Sequence, residues 1–279
     1  MRQLGEVLRL SAGYLSEHGS KTPRLDAELL IGHALGLPRI ELYTNFDRPL
    51  DEPELAACRA LLERRGRREP VAYILGRWGF HGLDLAVDGR VLVPRPETEV
   101  LVDRCLALLA GREAPRLVDV GTGSGAIALA VKAARPDAAV TATDVSADAL
   151  AVAAANAAAL GLEVELVEAD LLAGVEGRFA VIASNPPYIG EGEMAALEPE
   201  VAEYEPRLAT VAGPAGTEVL ERLVTAAPGA LEPGGSLVVE CGAGQAEAVQ
   251  GLMAVAGAAE TAAEPDLAGI DRVVTGRWT

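Results

Sequence analysis

Beyond residue 96 the chain alternates short apolar runs with helical stretches, and what stands at the end of each run restricts the fold more than any other feature. Arg116–Val120 runs into Gly121-Thr122-Gly123-Ser124-Gly125, Ala139–Thr143 ends at Asp144, Val164–Ala169 at Asp170, and Phe179–Ser184 at Asn185. Runs this short and apolar suit strands covered on both faces, and the helical stretches between them supply the crossovers of a mostly parallel sheet. Helices are expected over 97–110, from the glycine turn to Arg135, from Ser146, near 215–231 and over Gln245–Ala256. Further strands are expected at Ser236–Glu240 and about 271–277. Open sheets of this class hold ligands beyond the carboxyl ends of their strands. The glycine turn, Asp144, Asp170 and Asn185 are therefore expected at one site, with the aperiodic residues 189–214 as a loop over it.

Residues 1–75 read as helices. Leu4, Val7, Leu8 and Leu15 recur at helical spacing, as do Leu25, Leu29, Leu30 and Ile31. Asp51-Glu52-Pro53-Glu54 is a helix start, with an acidic cap and then proline and acid in the first turn; that helix should run to Gly66. Leu83, Leu85 and Val87 alternate up to Asp88-Gly89, and Val91 and Val93 alternate after it, which predicts a β-hairpin. The expected organisation is a helical domain over 1–75, a hairpin linker over 76–96 and an α/β domain over 97–279.

Charge narrows the function. The first 75 residues carry equal numbers of basic and acidic side chains, so the whole net charge of −17 falls on residues 76–279. Nucleic-acid affinity comes largely from Lys and Arg on phosphate, and DNA binding is not expected. The one basic cluster, Arg59, Arg64, Arg65, Arg67 and Arg68, reads as a solvated helix end or a docking patch for an acidic or RNA-bearing partner. The scattered Cys58, Cys105 and Cys241 and the three histidines show no metal-ligand spacing, so no metal is expected. No run of 18 uncharged apolar residues exists and the first residues are no signal peptide, which points to a cytoplasmic protein.

Glycines at 121, 123 and 125 let a ligand approach the backbone closely. Asp144 can accept both hydroxyls of a ribose, and Asp170 can meet an adenine amino group. Gly121, Gly123 and Ala126 also satisfy the dinucleotide fingerprint, which keeps an NAD-dependent oxidoreductase as an alternative. Asp119, just before the turn, repels a pyrophosphate but suits a sulfonium or an amino group, so S-adenosylmethionine is the better cofactor. Asn185-Pro186-Pro187-Tyr188 is stiff, because each proline fixes its own φ and biases the residue before it. The Asn185 amide, the free carbonyls and the Tyr188 ring form an acceptor-lined cleft for a planar –NH2 group. A DNA adenine N6-methyltransferase would present such a group too, but needs a positively charged channel.

With these residues in view, the chain resembles the release factor glutamine methyltransferases. The resemblance spans nearly the whole chain: the N-terminal helical region, Val93-Pro94-Arg95-Pro96-Glu97-Thr98-Glu99, Asp119 through Ala128, Ser184 through Ile189, Glu205-Pro206 and Asp271-Arg272-Val273-Val274. It implies a Rossmann-like S-adenosylmethionine-dependent methyltransferase domain, with a mostly parallel seven-stranded sheet, behind a small helical domain. The implied reaction is methylation of the side-chain amide nitrogen (N5) of the glutamine in the Gly-Gly-Gln motif of class 1 peptide chain release factors, by a monomer. Cofactor contacts carry over onto Gly121, Thr122, Gly123, Ser124, Gly125, Asp144 and Asn185, and substrate contacts onto Asn185, Pro186, Pro187 and Tyr188. Leu171 stands after Asp170 where relatives often carry an aromatic residue. Arg95 and Glu97 are read as positioning the acceptor segment, or else as an ion pair with each other.

Overall fold

The computed structural model describes residues 2–279. Two compact units emerge, one comprising the residues up to Arg77 with Glu198–Tyr204, the other Trp78–Leu197 with Glu205–Thr279. The chain thus leaves the second unit for seven residues and returns to it.

The first unit is built from helices at Leu4–Glu17, Pro23–Leu35, Arg39–Thr44, Glu52–Gly66 and Val71–Leu75. A two-residue strand pair, Arg2–Gln3 with Pro49–Leu50, adds a clasp that the helical reading lacked. Asp51 caps the fourth helix as expected: its side chain accepts from the Glu54 N–H at 2.9 Å, and the Glu54 side chain accepts from the Asp51 N–H at 3.1 Å. The second helix departs from the expected apolar face. Leu25 is exposed, whereas Asp26 and Glu28 are buried. Asp26 accepts from Ser20 and Thr22 at 2.8 Å each and from Arg65 Nε at 2.7 Å. Buried charge persists where it is paired and hydrogen-bonded, and Asp26 satisfies both conditions.

The basic cluster is solvated only in part. Arg65, 7% exposed, bridges Asp26 and Glu200; Arg68 takes the same Glu200 with bonds of 2.8 and 2.5 Å; Arg64 pairs with Glu69 and Arg59 with Glu52. Arg59 and Arg67 stay largely in solvent, the latter 4.0 Å from Glu63.

Next along the chain comes a two-stranded sheet, Arg77–Phe80 with Leu83–Ala86 around His81-Gly82, in the second unit from Trp78 on. It lies upstream of the expected hairpin. Val87, Val91 and Val93 are buried without being strands. Their alternation reports burial, which extended loops share with strands.

The central sheet has seven strands, β1 Arg116–Val120, β2 Ala139–Asp144, β3 Glu165–Glu168, β4 Phe179–Ser184, β5 Leu231–Glu240, β6 Glu260–Pro265 and β7 Asp271–Arg277. Their order is β3-β2-β1-β4-β5-β7-β6, parallel from β1 to β5, with β7 antiparallel to both β5 and β6. Five helices cover it: α1 Pro96–Leu109, α2 Ala126–Ala134, α3 Ala147–Leu160, α4 Glu218–Ala230 and α5 Ala246–Val255. Neighbouring residues of one strand enter opposite cores. Leu117, Val181, Val238 and Val273 join the cluster under α1 and α2, while Val118, Ile182, Val239 and Val274 join the one under α4 and α5. A fully buried side chain of this size contributes about 1.5–3 kcal/mol, and the two-sided burial explains why these strands lack polar alternation.

The strand order reverses between β1 and β4, and the crevice at such a switch point is where this architecture binds ligands. Residues 189–214 are not one loop. They hold short turns of helix and the strand pair Ile189–Gly190 with Val211–Gly213.

Candidate functional site

A cavity of about 320 Å³ opens beyond the carboxyl ends of β1, β2 and β4. Its volume suits a small-molecule ligand, and all its lining residues belong to the second unit.

The glycine turn forms its floor. The Gly121 and Thr122 N–H groups both donate to the Thr143 carbonyl at 2.8 Å, which curls the turn over β2. Gly121 has φ 74° and Gly123 φ 56°, and a Cβ built at either would meet nothing within 4 Å. Space there is open for a ligand. Gly125 has another reason: at φ 84° its Cβ would sit 2.9 Å from Leu129 Cδ1, so it permits close packing of α2. Ser124 is buried, and its carbonyl accepts from Asn156 Nδ2 at 2.8 Å.

Asp144 lines the cavity, its carboxylate aimed by two backbone donors, Gly123 N–H and Ser146 N–H, at 2.9 Å each. Asp170 and Leu171 line it further along. Asp170 is paired with Arg222 at 2.6 Å. Leu171 holds φ 56°, and its carbonyl accepts from Thr143 Oγ1 at 3.0 Å. The lining also includes Asn185, Pro186 and Pro187, as well as Arg95.

Four expected site residues lie outside the lining, Gly125, which packs against α2, and three more. Asp119 is fully buried beneath the turn, not in the cavity wall. Its Oδ2 accepts from Thr122 Oγ1 at 2.6 Å and Ala128 N–H at 3.1 Å, while Oδ1 is buried with no partner. Burial, with help from Asp144, pushes its carboxyl up to about 7, against the two donors. Tyr188 packs against the core under α4 and α5, and its hydroxyl donates toward Glu240 Oε1 at 3.4 Å. Burial and then Glu240 raise that phenol well above its ordinary range. Glu97 is half-buried outside the lining, and Arg95 pairs not with it but with Glu205, at 2.6 and 2.7 Å. A carboxylate that is itself buried is the better partner for a half-buried guanidinium. Burial raises the Glu205 carboxyl, and Arg95 works against that.

Several residues that hold the site were not singled out from sequence. Asn156, buried in α3, exchanges two hydrogen bonds with the Ala86 backbone at 2.7 and 3.0 Å while its Nδ2 also reaches Ser124. It ties the small sheet to the glycine turn. Its signal was legible, as the one polar side chain among alanines over 151–160. Thr98 and Glu240, both buried, meet at 2.6 Å, and Thr98 also meets Asn185. No sequence spacing pairs them.

The arrangement fits S-adenosylmethionine on its own terms. Two glycines leave a cradle, Asp144 presents an oriented carboxylate in the same lining, and Asp119 keeps an unpartnered buried oxygen that favours a cation nearby. Among the described residues no cluster of His, Cys, Asp and Glu could hold a metal ion, and no helix is long and apolar enough to cross a membrane.

Comparison with known proteins agrees. Residues 6–76 match the family described as PrmC N-terminal domain and residues 97–202 the methyltransferase small domain. A release factor glutamine methyltransferase of Geobacter sulfurreducens is 46% identical over 273 residues, covering 98% of this chain and 95% of the relative. One of Deinococcus radiodurans is 42% identical over 275 residues, covering 99% and 98%. Among solved structures, the catalytic domain of hMettl16 superposes with a TM-score of 0.60 at 14% identity, covering 82% of this chain and 83% of that one, a likeness of fold alone. Likeness at this level over the whole length leaves the oxidoreductase reading without support, and the chain belongs to the family of release factor glutamine methyltransferases, enzymes dependent on S-adenosylmethionine.

Proposed function

We propose that this chain methylates the side-chain amide nitrogen, N5, of the glutamine in the Gly-Gly-Gln motif of class 1 peptide chain release factors, as a cytoplasmic monomer that does not bind DNA. The observation that carries the reading is Asn185-Pro186-Pro187 at the end of β4, lining the same cavity as the glycine turn. An amide nitrogen is a weak nucleophile because its lone pair is delocalised into the carbonyl. When bound, the cofactor supplies an electrophilic methyl carbon on a sulfonium. Asn185 Oδ1 and the Pro186 carbonyl accept the two N–H bonds of the substrate amide and point its nitrogen at that carbon. Reacting atoms about 3–3.5 Å apart and aligned are what such a transfer requires. Positive charge would grow on the substrate nitrogen as it took the methyl group from the sulfonium. The two fixed acceptors stabilise it without reorganising, and the surplus proton leaves to water. Tyr188 acts from behind, bracing the segment: Gln245 Nε2 donates to its carbonyl at 3.0 Å. Pro187 lines the same cavity, as does Arg95, whose guanidinium is held by Glu205.

The test is incubation of the protein with methyl-labelled cofactor and a class 1 release factor, followed by peptide mapping. Label on the Gly-Gly-Gln glutamine is expected; label on another residue, or none, would overturn the proposal. Asn185→Ala should lower kcat by about two to three orders of magnitude, the size seen when one preorganised polar group is removed, and cost far less in cofactor affinity.

A further inference from the structure

Thr98 lies in the first turn of α1, 4% exposed, and its hydroxyl touches two partners. Oγ1 is 2.6 Å from Glu240 Oε2 and 3.0 Å from Asn185 Nδ2. Glu240 ends β5 and is 2% exposed. A threonine hydroxyl owns one proton, whereas an ionised carboxylate only accepts. The Thr98 proton is therefore committed to Glu240, and Thr98 can offer Asn185 nothing but a lone pair. Only the –NH2 end of the Asn185 carboxamide can face it. The reversed rotamer would set oxygen against oxygen.

We propose that Glu240 and Thr98 are positioning residues that lock the Asn185 carboxamide with its oxygen toward the substrate. The proposal rests on the reading of Asn185 as acceptor for the substrate amide. It answers a problem that reading leaves open. A free carboxamide has two nearly isosteric ends, and the wrong end would present a donor to the very N–H bonds it must accept. Glu240 supplies polarity, Thr98 transmits it, and Asn185 expresses it. Glu240 is in turn surrounded by Thr98, the Tyr188 hydroxyl, Arg272 and Glu97. Burial, assisted by Glu97, raises its carboxyl, while Thr98, Arg272 and Tyr188 favour the ionised form on which the polarity depends.

The test compares Thr98→Val, Thr98→Ser and Asn185→Ala, with Thr98→Ala as a second hydroxyl-free variant should valine beside the carboxylate prevent folding. Thr98→Val should lower kcat by at least about tenfold but not beyond the loss caused by Asn185→Ala, because one preorganised group is misdirected and not removed. KM for the release factor and cofactor affinity by calorimetry should stay within about threefold. Thr98→Ser, which keeps the hydroxyl, should restore turnover. The double variant Thr98→Val/Asn185→Ala should turn over no more slowly than Asn185→Ala alone, since nothing remains to be oriented. Wild-type kcat in Thr98→Val and Thr98→Ala, or losses that add in the double variant, would overturn the relay while leaving the assigned reaction standing. A wild-type protein that leaves the glutamine unmethylated would instead overturn the reaction, and the relay with it.

Discussion

Asp119→Asn should make the cofactor-free protein more stable at neutral and alkaline pH than the wild type. The carboxyl is fully buried, and its ordinary value of 3.8 is pushed up to about 7 by burial first and Asp144 second. Folding therefore favours the protonated form. The associated stability is fully present below about pH 4 and is lost as the pH rises through about 7. A shift of about three units, at about 1.4 kcal/mol each, corresponds to about 4 kcal/mol lost across that window. Asparagine does not titrate. Its carbonyl oxygen can take the bonds from Thr122 and Ala128, and its –NH2 falls at the unpartnered Oδ1 position. That unpaired donor costs about 1–3 kcal/mol, a constant offset that does not change with pH. Urea unfolding of both proteins from about pH 4 to pH 8, followed by the fluorescence of Trp78 and Trp278, reports the second unit, which holds both tryptophans. The stability difference between variant and wild type should climb in favour of the variant by up to about 4 kcal/mol over that range. A difference flat to within about 1 kcal/mol would refute the reasoning. Cofactor affinity is expected to move the other way, rising with pH in the wild type and staying level in the variant.

Gly123→Ala places a methyl in the open cradle at φ 56°, so the variant should fold but bind S-adenosylmethionine more weakly by calorimetry, with backbone strain of only about 1–2 kcal/mol. Gly125→Ala, whose methyl would lie 2.9 Å from Leu129 Cδ1, should lower the melting temperature instead. Arg65→Met should destabilise the first unit by about 3–5 kcal/mol, because Asp26 and Glu200 lose a buried partner; unfolding followed by circular dichroism measures it. Cys58, Cys105 and Cys241 are buried, and burial raises their thiols, to about 11 for Cys58 and Cys241. All three should resist a disulfide reagent until denaturant is added.

Local patterns carried far where one segment sufficed to define an element. β1 and β4 have the bounds their apolar runs imply, and the Asp51 cap sits where its acids and proline indicate. Patterns failed where an element exists only through its neighbour. β6, Glu-Thr-Ala-Ala-Glu-Pro, is half-exposed at the sheet edge and has little apolar alternation; its pairing with β7 makes it a strand. The small sheet slipped because valines at 87, 91 and 93 alternate in burial while leaving the ladder. Among site residues, those at strand ends were legible, and those acting through a buried contact were not.

The glycine turn, the acids at successive strand ends and the proline-stiffened tetrapeptide announce themselves in the chain because each depends on φ preferences or on a period of a few residues. The pairing of Thr98 with Glu240 spans 142 positions, and that of Arg65 with Glu200 spans 135. Such contacts, the unpartnered oxygen of Asp119 and the direction of Tyr188 depend on which side chains packing brings together away from water, where an unmatched charge or donor is costly. No local pattern carries that information; the folded sheet does.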